Sequence, residues 1–157
     1  MKLICISGTP GTGKTTLAKF LARKLDYKRI DLHDHYKEIS TGYNRSKQCY
    51  DIDMKKLEKL VKEKRKKDNL IVDSHIAHLL SKRLVDLCIV LTRPDLEKLE
   101  KRLKKRKYSK KKVDENLQAE IFQVCLMEAK KKKHDILIVD VSKGYDKEIV
   151  LREIERL

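Results

Sequence analysis

The sequence lacks tryptophan and long apolar runs. No run approaches the roughly 20 apolar residues that a helix needs to cross a bilayer. The N-terminus carries one lysine and then a short apolar stretch that leads into a glycine-rich loop, which is unlike a secretory signal peptide. We therefore expect a soluble, cytoplasmic protein that is not associated with a membrane.

Cysteine is also scarce. The chain has four cysteines, which are far apart and form no Cys-x-x-Cys pair of the kind that holds zinc. Two of them lie inside apolar runs. We therefore expect reduced core residues, and neither zinc ligands nor disulfides, at Cys5, Cys49, Cys88 and Cys125.

Acidic residues are outnumbered by basic ones. The chain has 39 Lys and Arg against 24 Asp and Glu, which gives a net charge of +15. Because Lys and Arg neutralise phosphates, nucleotides and RNA are both candidate partners. A lysine-rich, glycine-poor composition is also typical of thermophilic proteins. Composition alone leaves both interpretations open.

The length of 157 residues predicts a single domain. Short apolar runs alternate with segments of helical period, which predicts a parallel sheet with helices on both faces. Residues 33–52 show no sustained period, and we interpret them as an inserted binding segment. The predicted strands cover residues 3–6, 29–32, 70–73, 87–91 and 136–139.

Helical periodicity and capping residues predict the helices between these strands. The first begins at Lys14, and Asp53 caps another that runs to about Lys67. Pro94 is expected in the first turn of the next helix, and a single long helix is expected from about residue 117 to 133. The closing helix is marked by Ile149, Val150, Ile154 and Leu157.

A phosphate-binding pattern lies between the first strand and the first helix. Its residues are Gly8-Thr9-Pro10-Gly11-Thr12-Gly13-Lys14-Thr15. The glycines let backbone N–H groups surround phosphate oxygens, Lys14 reaches the terminal phosphates, and Thr15 binds Mg²⁺. The helix N-terminus adds a partial positive charge. The pattern predicts binding of Mg²⁺ and ATP.

Two further residues are candidates for the same site. Asp73 ends an apolar strand, where its carboxylate can hold a Mg²⁺-bound water; a plain strand-end aspartate is the alternative. His75 can orient a water or a phosphoryl group, or it is an ordinary surface histidine. The sequence has neither the Asp-x-x-Gly after this strand nor the Asn-Lys-x-Asp reader of a GTPase, which favours a kinase.

A kinase needs a mobile cover that excludes water and places cations near the transferring phosphoryl group. The basic stretch 102–112 is a candidate lid between two helices, with Arg102 and Arg106 spaced to point into a phosphate site. Segment 33–52 is a second candidate cover. Three lysines of the lid can instead be ordinary solvated surface residues: Lys104, Lys107 and Lys110. The role of Arg93 is open.

Together these residues resemble a known family. Four stretches are similar to the adenylate kinase isoenzyme 6 family, including its archaeal members. They are the phosphate-binding pattern continued to Thr16 and the segments Val72–His75, Arg106–Tyr108 and Asp114–Val124. The match spans nearly the whole chain in order. It is therefore far more specific than the phosphate-binding pattern alone.

The resemblance implies the P-loop fold of nucleoside monophosphate kinases, with a five-stranded parallel sheet. It implies a core of residues 1–32, 53–101 and 113–157, a monophosphate-binding segment at about 30–52 and a lid at about 102–112. It implies reversible transfer between ATP and AMP, some ATP hydrolysis, and a role with an S11-type ribosomal protein and rRNA in maturation of the small ribosomal subunit.

The resemblance also implies roles for single residues. The residues expected to contact ATP are Gly11, Gly13, Lys14, Thr15, Thr16 and Arg106. The expected catalytic residues are Lys14, Asp73, His75 and Arg106. Mg²⁺ is expected at Thr15 and Asp73.

Two positions depart from the family pattern. Lys37 stands where relatives tend to have an arginine that clamps the AMP phosphate, and Lys107 stands where a glycine is common. Lysine offers a point charge instead of a bidentate fork. These departures leave two alternatives open: an ATP-switched ribosome assembly factor with little kinase activity, and a kinase for another small acceptor.

Overall fold

The computed structural model describes residues 1–156, in which helices alternate with strands. Short 3₁₀ turns lie at Leu32–His35 and Ala77–Leu79. In chain order the elements are β1 (Leu3–Ser7), α1 (Lys14–Leu25), β2 (Lys28–Asp31), α2 (Tyr36–Ile39), β3 (Ser40–Asn44), β4 (Cys49–Ile52), α3 (Met54–Arg65), β5 (Leu70–Asp73), β6 (Leu87–Thr92), α4 (Leu96–Lys105), α5 (Lys110–Ile121), α6 (Val124–Lys131), β7 (Ile136–Asp140) and α7 (Lys147–Glu155).

A five-stranded sheet in the order β2-β5-β1-β6-β7 lies at the centre. All of its pairings are parallel, which confirms the predicted fold class. Every residue of β1, β5 and β6 is buried, because helices cover both faces; this explains why these strands read as continuous apolar runs. The carboxyl ends of the strands lie at one edge of the sheet, the usual place for a ligand in such folds.

Two apolar clusters hold the layers together. On one face, Leu57 and Val61 of α3 and Leu126 of α6 pack against the sheet. On the other face, Leu17 of α1 and Val150 of α7 do the same. A third, smaller cluster joins α4 to α5 through Leu99, Leu103 and Val113.

The predicted helix starts were right at α3 and wrong at α4. The Asp53 carboxylate accepts hydrogen bonds from the backbone N–H groups of Lys55 and Lys56, so it caps α3 as expected. Pro94, however, lies before α4. Asp95 is the N-cap there, and its side chain accepts from the N–H of Lys98. The carboxylate satisfies a free N–H of the first turn, which proline would not do.

The expected long helix over residues 117–133 was also wrong, because the chain breaks between α5 and α6. Gln123 has a left-handed backbone conformation, with φ of 48°. The break turns Leu126 and Ala129 towards the core and leaves Ile121 and Phe122 exposed. Periodicity alone cannot detect one left-handed residue between two helical stretches.

Residues 33–52 are more ordered than their lack of period indicated. After the 3₁₀ turn and α2, strands β3 and β4 form an antiparallel hairpin in which Tyr43 pairs with Tyr50.

The closing helix α7 was predicted correctly over its described part; Leu157 lies outside the described residues. Within residues 1–156 no helix has both the length and the apolarity to cross a membrane.

Candidate functional site

A cavity of about 930 Å³ opens above the carboxyl edge of the sheet. Its floor is the phosphate loop, residues 8–15. Its walls come from the hairpin, residues 40–52, and from the lid, residues 102–112. Each predicted site residue lines this cavity: Gly11, Gly13, Lys14, Thr15, Thr16, Asp73, His75 and Arg106.

Glycine is required in the phosphate loop for two different reasons. At Gly8, φ is 145° and a Cβ would lie 2.6 Å from the backbone oxygen of Leu91. At Gly13, φ is 100°, and among the described residues no atom lies within 4 Å of where a Cβ would be, so only the backbone conformation demands glycine. Thr12 closes the loop, since its hydroxyl donates to the carbonyl of Thr9 at 2.9 Å.

Lys14 lies across the phosphate loop. Its Nζ donates to the carbonyl of Gly8 at 2.8 Å and to that of Thr9 at 3.1 Å. Burial lowers the pKa of Lys14 to about 8, the nearby Cys125 opposes this shift, and the positive charge of Arg106 adds to it. A polyphosphate in the cavity would supply the negative charge that this amine lacks.

Thr15 and Asp73 form the metal-binding candidate. The Thr15 hydroxyl donates to Oδ2 of Asp73 at 3.0 Å, so the side chains predicted to share one ion lie together. The Asp73 side chain is only 3% exposed. A hydroxyl and a carboxylate are the oxygen ligands that Mg²⁺ uses beside phosphates and water, so the residues fit this ion.

Arg29 and Asp31 also belong to this site, although no sequence motif singled them out. The Nε of Arg29 donates to Oδ1 of Asp73 at 2.6 Å, and its Nη2 donates to Asp31 at 2.8 Å. Burial tends to raise the pKa of Asp31, but hydrogen bonds from His33 and Arg29 outweigh it and hold the pKa at about 2. The available signal was the spacing of Arg29 and Asp31 by two residues, which places both on one face of a strand.

His75 also faces the cavity. Solvent reaches its side chain through the opening, while the surrounding protein desolvates the ring and, with the charge of Lys14, lowers its pKa to about 4. The imidazole is therefore neutral near pH 7. A neutral ring can donate one hydrogen bond and accept another.

The lid is more helical than predicted. Residues 102–105 end α4 and residues 110–112 begin α5, so only residues 106–109 link the two helices. Arg102 donates from Nη1 to the carbonyl of Gly11 at 3.1 Å. Arg106 follows α4 and lines the cavity. Lys107 has φ of 56°, a conformation that favours glycine.

The other basic residues considered for the site lie in different environments. Lys105 and Lys112 line the cavity, which the sequence did not single out. Lys104 and Lys37 do not line the cavity. Lys104 forms an ion pair with Glu100 at 2.6 Å, and the Lys37 side chain is exposed to solvent. Arg93 is buried outside the cavity lining, and its Nη2 donates to the carbonyl of Val141 at 3.0 Å.

The hairpin and the lid touch each other over the cavity. The N–H of Ser109 donates to Oε1 of Gln48 at 3.0 Å, and Nζ of Lys112 donates to the carbonyl of Gln48 at 2.6 Å. Lys112 also lies 4.2 Å from the centre of the Tyr108 ring. These contacts close the two covers over the phosphate loop.

Aromatic rings line the hairpin side of the cavity. The rings of Tyr36 and Tyr50 lie 4.7 Å apart, and those of Tyr43 and Tyr50 lie 5.1 Å apart. His33 stands 4.9 Å from Tyr36. This group offers apolar faces beside hydroxyl and imidazole groups, a combination suited to a base and a ribose.

The cysteines only partly match the expectation of core residues. Cys5 and Cys88 are buried in the sheet, and burial raises the pKa of the Cys5 thiol. Cys49 and Cys125 are half-buried instead. Cys49 lines the cavity, and Cys125 lies 3.7 Å from the carbonyl of His75.

Comparison with protein families and with known proteins gives a consistent result. A family model described as an AAA domain matches residues 4–123. A protein of Methanocaldococcus jannaschii named "Putative adenylate kinase" is 44% identical over 136 residues, which cover 85% of this chain and 75% of that protein. The adenylate kinase isoenzyme 6 homolog of Schizosaccharomyces pombe is 40% identical over 140 residues, which cover 88% of this chain and 79% of that protein.

Among solved structures, the shikimate kinase of Bacteroides thetaiotaomicron is similar in fold. It has a TM-score of 0.62 and 22% sequence identity, and the match covers 99% of both chains. At this level of identity the likeness supports the P-loop kinase fold and nothing finer.

Proposed function

Since this chain belongs to the adenylate kinase isoenzyme 6 family, we propose that it is an ATP:AMP phosphotransferase. One observation carries the proposal: a single cavity of about 930 Å³ joins the phosphate loop to two covers that meet above it. This volume is near the top of the usual range for small-molecule sites, as expected of a site for two nucleotides.

ATP is the proposed donor, with its phosphates on the phosphate loop. Lys14 would exchange the carbonyls of Gly8 and Thr9 for phosphate oxygens, while Gly11, Gly13 and Thr16 line the path of the phosphates. The N-terminus of α1 begins at Lys14 and adds its dipole.

Mg²⁺ is the proposed cofactor, and Thr15 and Asp73 would hold it. When bound, the ion neutralises charge on the phosphates of the donor. Arg29 donates to both oxygens of Asp73, at 2.6 and 3.2 Å, and so holds the carboxylate beside the Thr15 hydroxyl. Arg29 is therefore a positioning residue in this proposal.

AMP is the proposed acceptor, on the hairpin side of the cavity. Tyr36 and Tyr50 offer faces for the base, and Asp31 offers a carboxylate for hydroxyl groups. Lys37 is exposed to solvent and does not line the cavity, so another cation would hold the phosphate of AMP. Lys47, in the wall of the cavity, is a candidate.

Catalysis would be mainly electrostatic. Lys14 and Arg106 face the space between donor and acceptor, where negative charge spreads over the transferring group. The neutral His75 can orient an attacking water, which gives a route to the ATP hydrolysis that we also propose.

The test is to follow ADP and phosphate separately, with Mg²⁺ and ATP, in the presence and absence of AMP. ADP formed without phosphate, and only with AMP, would support the kinase. Phosphate release at the same rate with and without AMP would contradict the kinase proposal and favour an ATPase. Lys14→Ala should lower either activity about a thousandfold without unfolding the protein, because it removes a charge that stabilises the transition state.

A second candidate is an assembly factor that binds an S11-type ribosomal protein and rRNA, with ATP as the switch. One observation favours a protein partner: Ile121, Phe122 and Met127 are exposed by 56%, 71% and 50% around the break between α5 and α6. A cluster of exposed apolar side chains is typical of a protein interface.

This candidate can be tested by a pull-down with the S11-type protein at physiological salt. Phe122→Ser should weaken capture about tenfold, while Ile149→Ser, a change at another exposed apolar residue, should not. No capture by the wild type would contradict this role and leave the kinase proposal unaffected.

A further inference from the structure

A buried histidine links the phosphate loop to α6. His78, which is 1% exposed, accepts or donates a hydrogen bond at both ring nitrogens. Its Nδ1 lies 2.6 Å from Oγ of Ser7, and its Nε2 lies 2.7 Å from Oε2 of Glu128. None of the proposed steps of phosphoryl transfer uses this chain of three side chains.

The partners determine the direction of each hydrogen bond. A carboxylate can only accept, so Nε2 of His78 carries the proton and donates to Glu128. In the neutral ring Nδ1 must then accept, and Ser7 donates its hydroxyl proton to it. Burial lowers the pKa of His78 more than the Glu128 carboxylate raises it, so the neutral ring is favoured.

This chain of hydrogen bonds ends at Ser7, next to the backbone that Lys14 contacts. Ser7 is fully buried at the end of β1 and directly precedes Gly8, whose carbonyl accepts from Nζ of Lys14. A fixed Ser7 side chain therefore restrains the backbone from which the phosphate loop begins. Displacement of a binding group by about 1 Å is enough to cost a site much of its activity.

Other groups near His78 stabilise its position without joining this chain. Nε2 of His134 lies 2.9 Å from the backbone oxygen of His78, and Lys132 contributes positive charge. The side chain of Glu128 is 43% exposed, so it can be replaced without opening the core.

We propose that His78 is a positioning residue which, held by Glu128, fixes Ser7 and thereby the phosphate loop in its nucleotide-binding geometry. The proposal rests on the proposed function, because it assigns the phosphate loop to ATP. A plain structural role for the same hydrogen bonds would affect stability and leave the affinity of the folded protein for ATP unchanged.

The test measures the Kd for Mg²⁺ and ATP, together with Tm, in Ser7→Ala, Glu128→Ala and the double variant. Titrations are made well below the lowest Tm, so that all proteins are folded. Each single variant should raise Kd about tenfold. Since Ser7 and Glu128 act through one histidine, the double variant should also show about tenfold and not a hundredfold.

Two further variants separate positioning from general damage. Glu128→Gln keeps an acceptor for Nε2 and should stay within about threefold of the wild type. Glu153→Ala removes a glutamate of α7 that is 46% exposed and pairs with Arg156, so it matches Glu128 in exposure but lies outside the chain of hydrogen bonds. It should leave Kd within about twofold.

Three results would overturn the proposal: a Kd within twofold of the wild type in both single variants, a hundredfold loss in the double variant, or an equal loss in Glu153→Ala. A wild type that binds ATP but transfers nothing to AMP would contradict the kinase proposal instead. The role of His78 would still be decided by the Kd values.

Discussion

The floor and the covers of the cavity are built in different ways. The phosphate loop is held by contacts within the loop itself, because the half-buried Lys14 amine donates to two backbone carbonyls and the buried Thr12 hydroxyl closes the turn. The hairpin and the lid meet through two polar contacts of Gln48, an exposed one with Ser109 and a half-buried one with Lys112. Buried contacts resist opening, whereas exposed polar contacts open at little cost in free energy.

This difference suits a phosphotransferase. The donor phosphates need a preorganised floor, because electrostatic catalysis depends on groups that are in place before the reaction. Substrates must also enter and products must leave, so the covers must open in each cycle. The following changes are ordered from the largest expected effect to the smallest.

Gly8→Ala tests the rigidity of the floor. The new Cβ would lie 2.6 Å from the backbone oxygen of Leu91, in a backbone conformation that only glycine tolerates well. We expect a loss of about 3 kcal/mol in the free energy of unfolding, or a fall in Tm of about 6–12 °C, measured by thermal denaturation. Gly144→Ala, with φ of 75° and no described atom within 4 Å, should lose only about 1 kcal/mol. Equal losses would mean that the contact with Leu91 is unimportant.

The pH dependence of ATP binding tests the charge of the floor. Lys14 has a pKa of about 8 without nucleotide, and phosphates favour its charged form, so the pKa rises on binding. Binding therefore takes up a proton above pH 8, and the Kd should rise there by up to about tenfold per pH unit. Titration from pH 7 to 9.5 measures this. Lys14→Arg, whose charge persists, should bind more weakly but lose this dependence; a flat wild-type profile would contradict the assignment.

Lys112→Ala tests the closure of the covers. It removes the hydrogen bond to the carbonyl of Gln48 and the contact with the Tyr108 ring. We expect KM for ATP or AMP to rise about threefold, with Tm nearly unchanged, because one hydrogen bond of a half-buried lysine contributes only about 1 kcal/mol to stability. The matched control is Lys111→Ala, at an exposed lysine that pairs only loosely with Glu115 at 4.0 Å. A fall in Tm as large as that of Gly8→Ala would remove the distinction between floor and covers.

Lys107→Gly should have the smallest effect. Lys107 has φ of 56° in the link between α4 and α5, and glycine would relieve this strain at the cost of greater freedom in the unfolded chain. We expect a net gain of about 0.5 kcal/mol in the free energy of unfolding, measured by chemical denaturation. Lys104→Gly, inside α4, should lose about 1 kcal/mol instead. A loss at both positions would argue against strain at Lys107.

The same contrast explains what could be predicted from the sequence. The phosphate loop was predictable residue by residue, because its function depends on a local pattern of glycines, lysine and threonine. The strands were predictable because burial on both faces makes them continuous apolar runs. Asp73 was found because it ends such a run.

The covers depend on contacts between distant residues, which periodicity does not contain. Gln48 and Ser109 are 61 residues apart, and Arg29 and Asp73 are 44 residues apart. The break at Gln123 was missed for a related reason, since its left-handed backbone allows Leu126 to reach the core. The assignments of single site residues to ATP, AMP and Mg²⁺ stay predictions.

The most direct test of a joint donor and acceptor site is titration with a dinucleotide in which five phosphates join two adenosines, since this compound spans both subsites. We expect one molecule to bind per chain, more tightly than ATP or AMP alone and in competition with both, and we expect this binding to be lost in Lys14→Ala. Binding no tighter than that of ATP, or binding that leaves AMP bound, would contradict a single cavity for donor and acceptor.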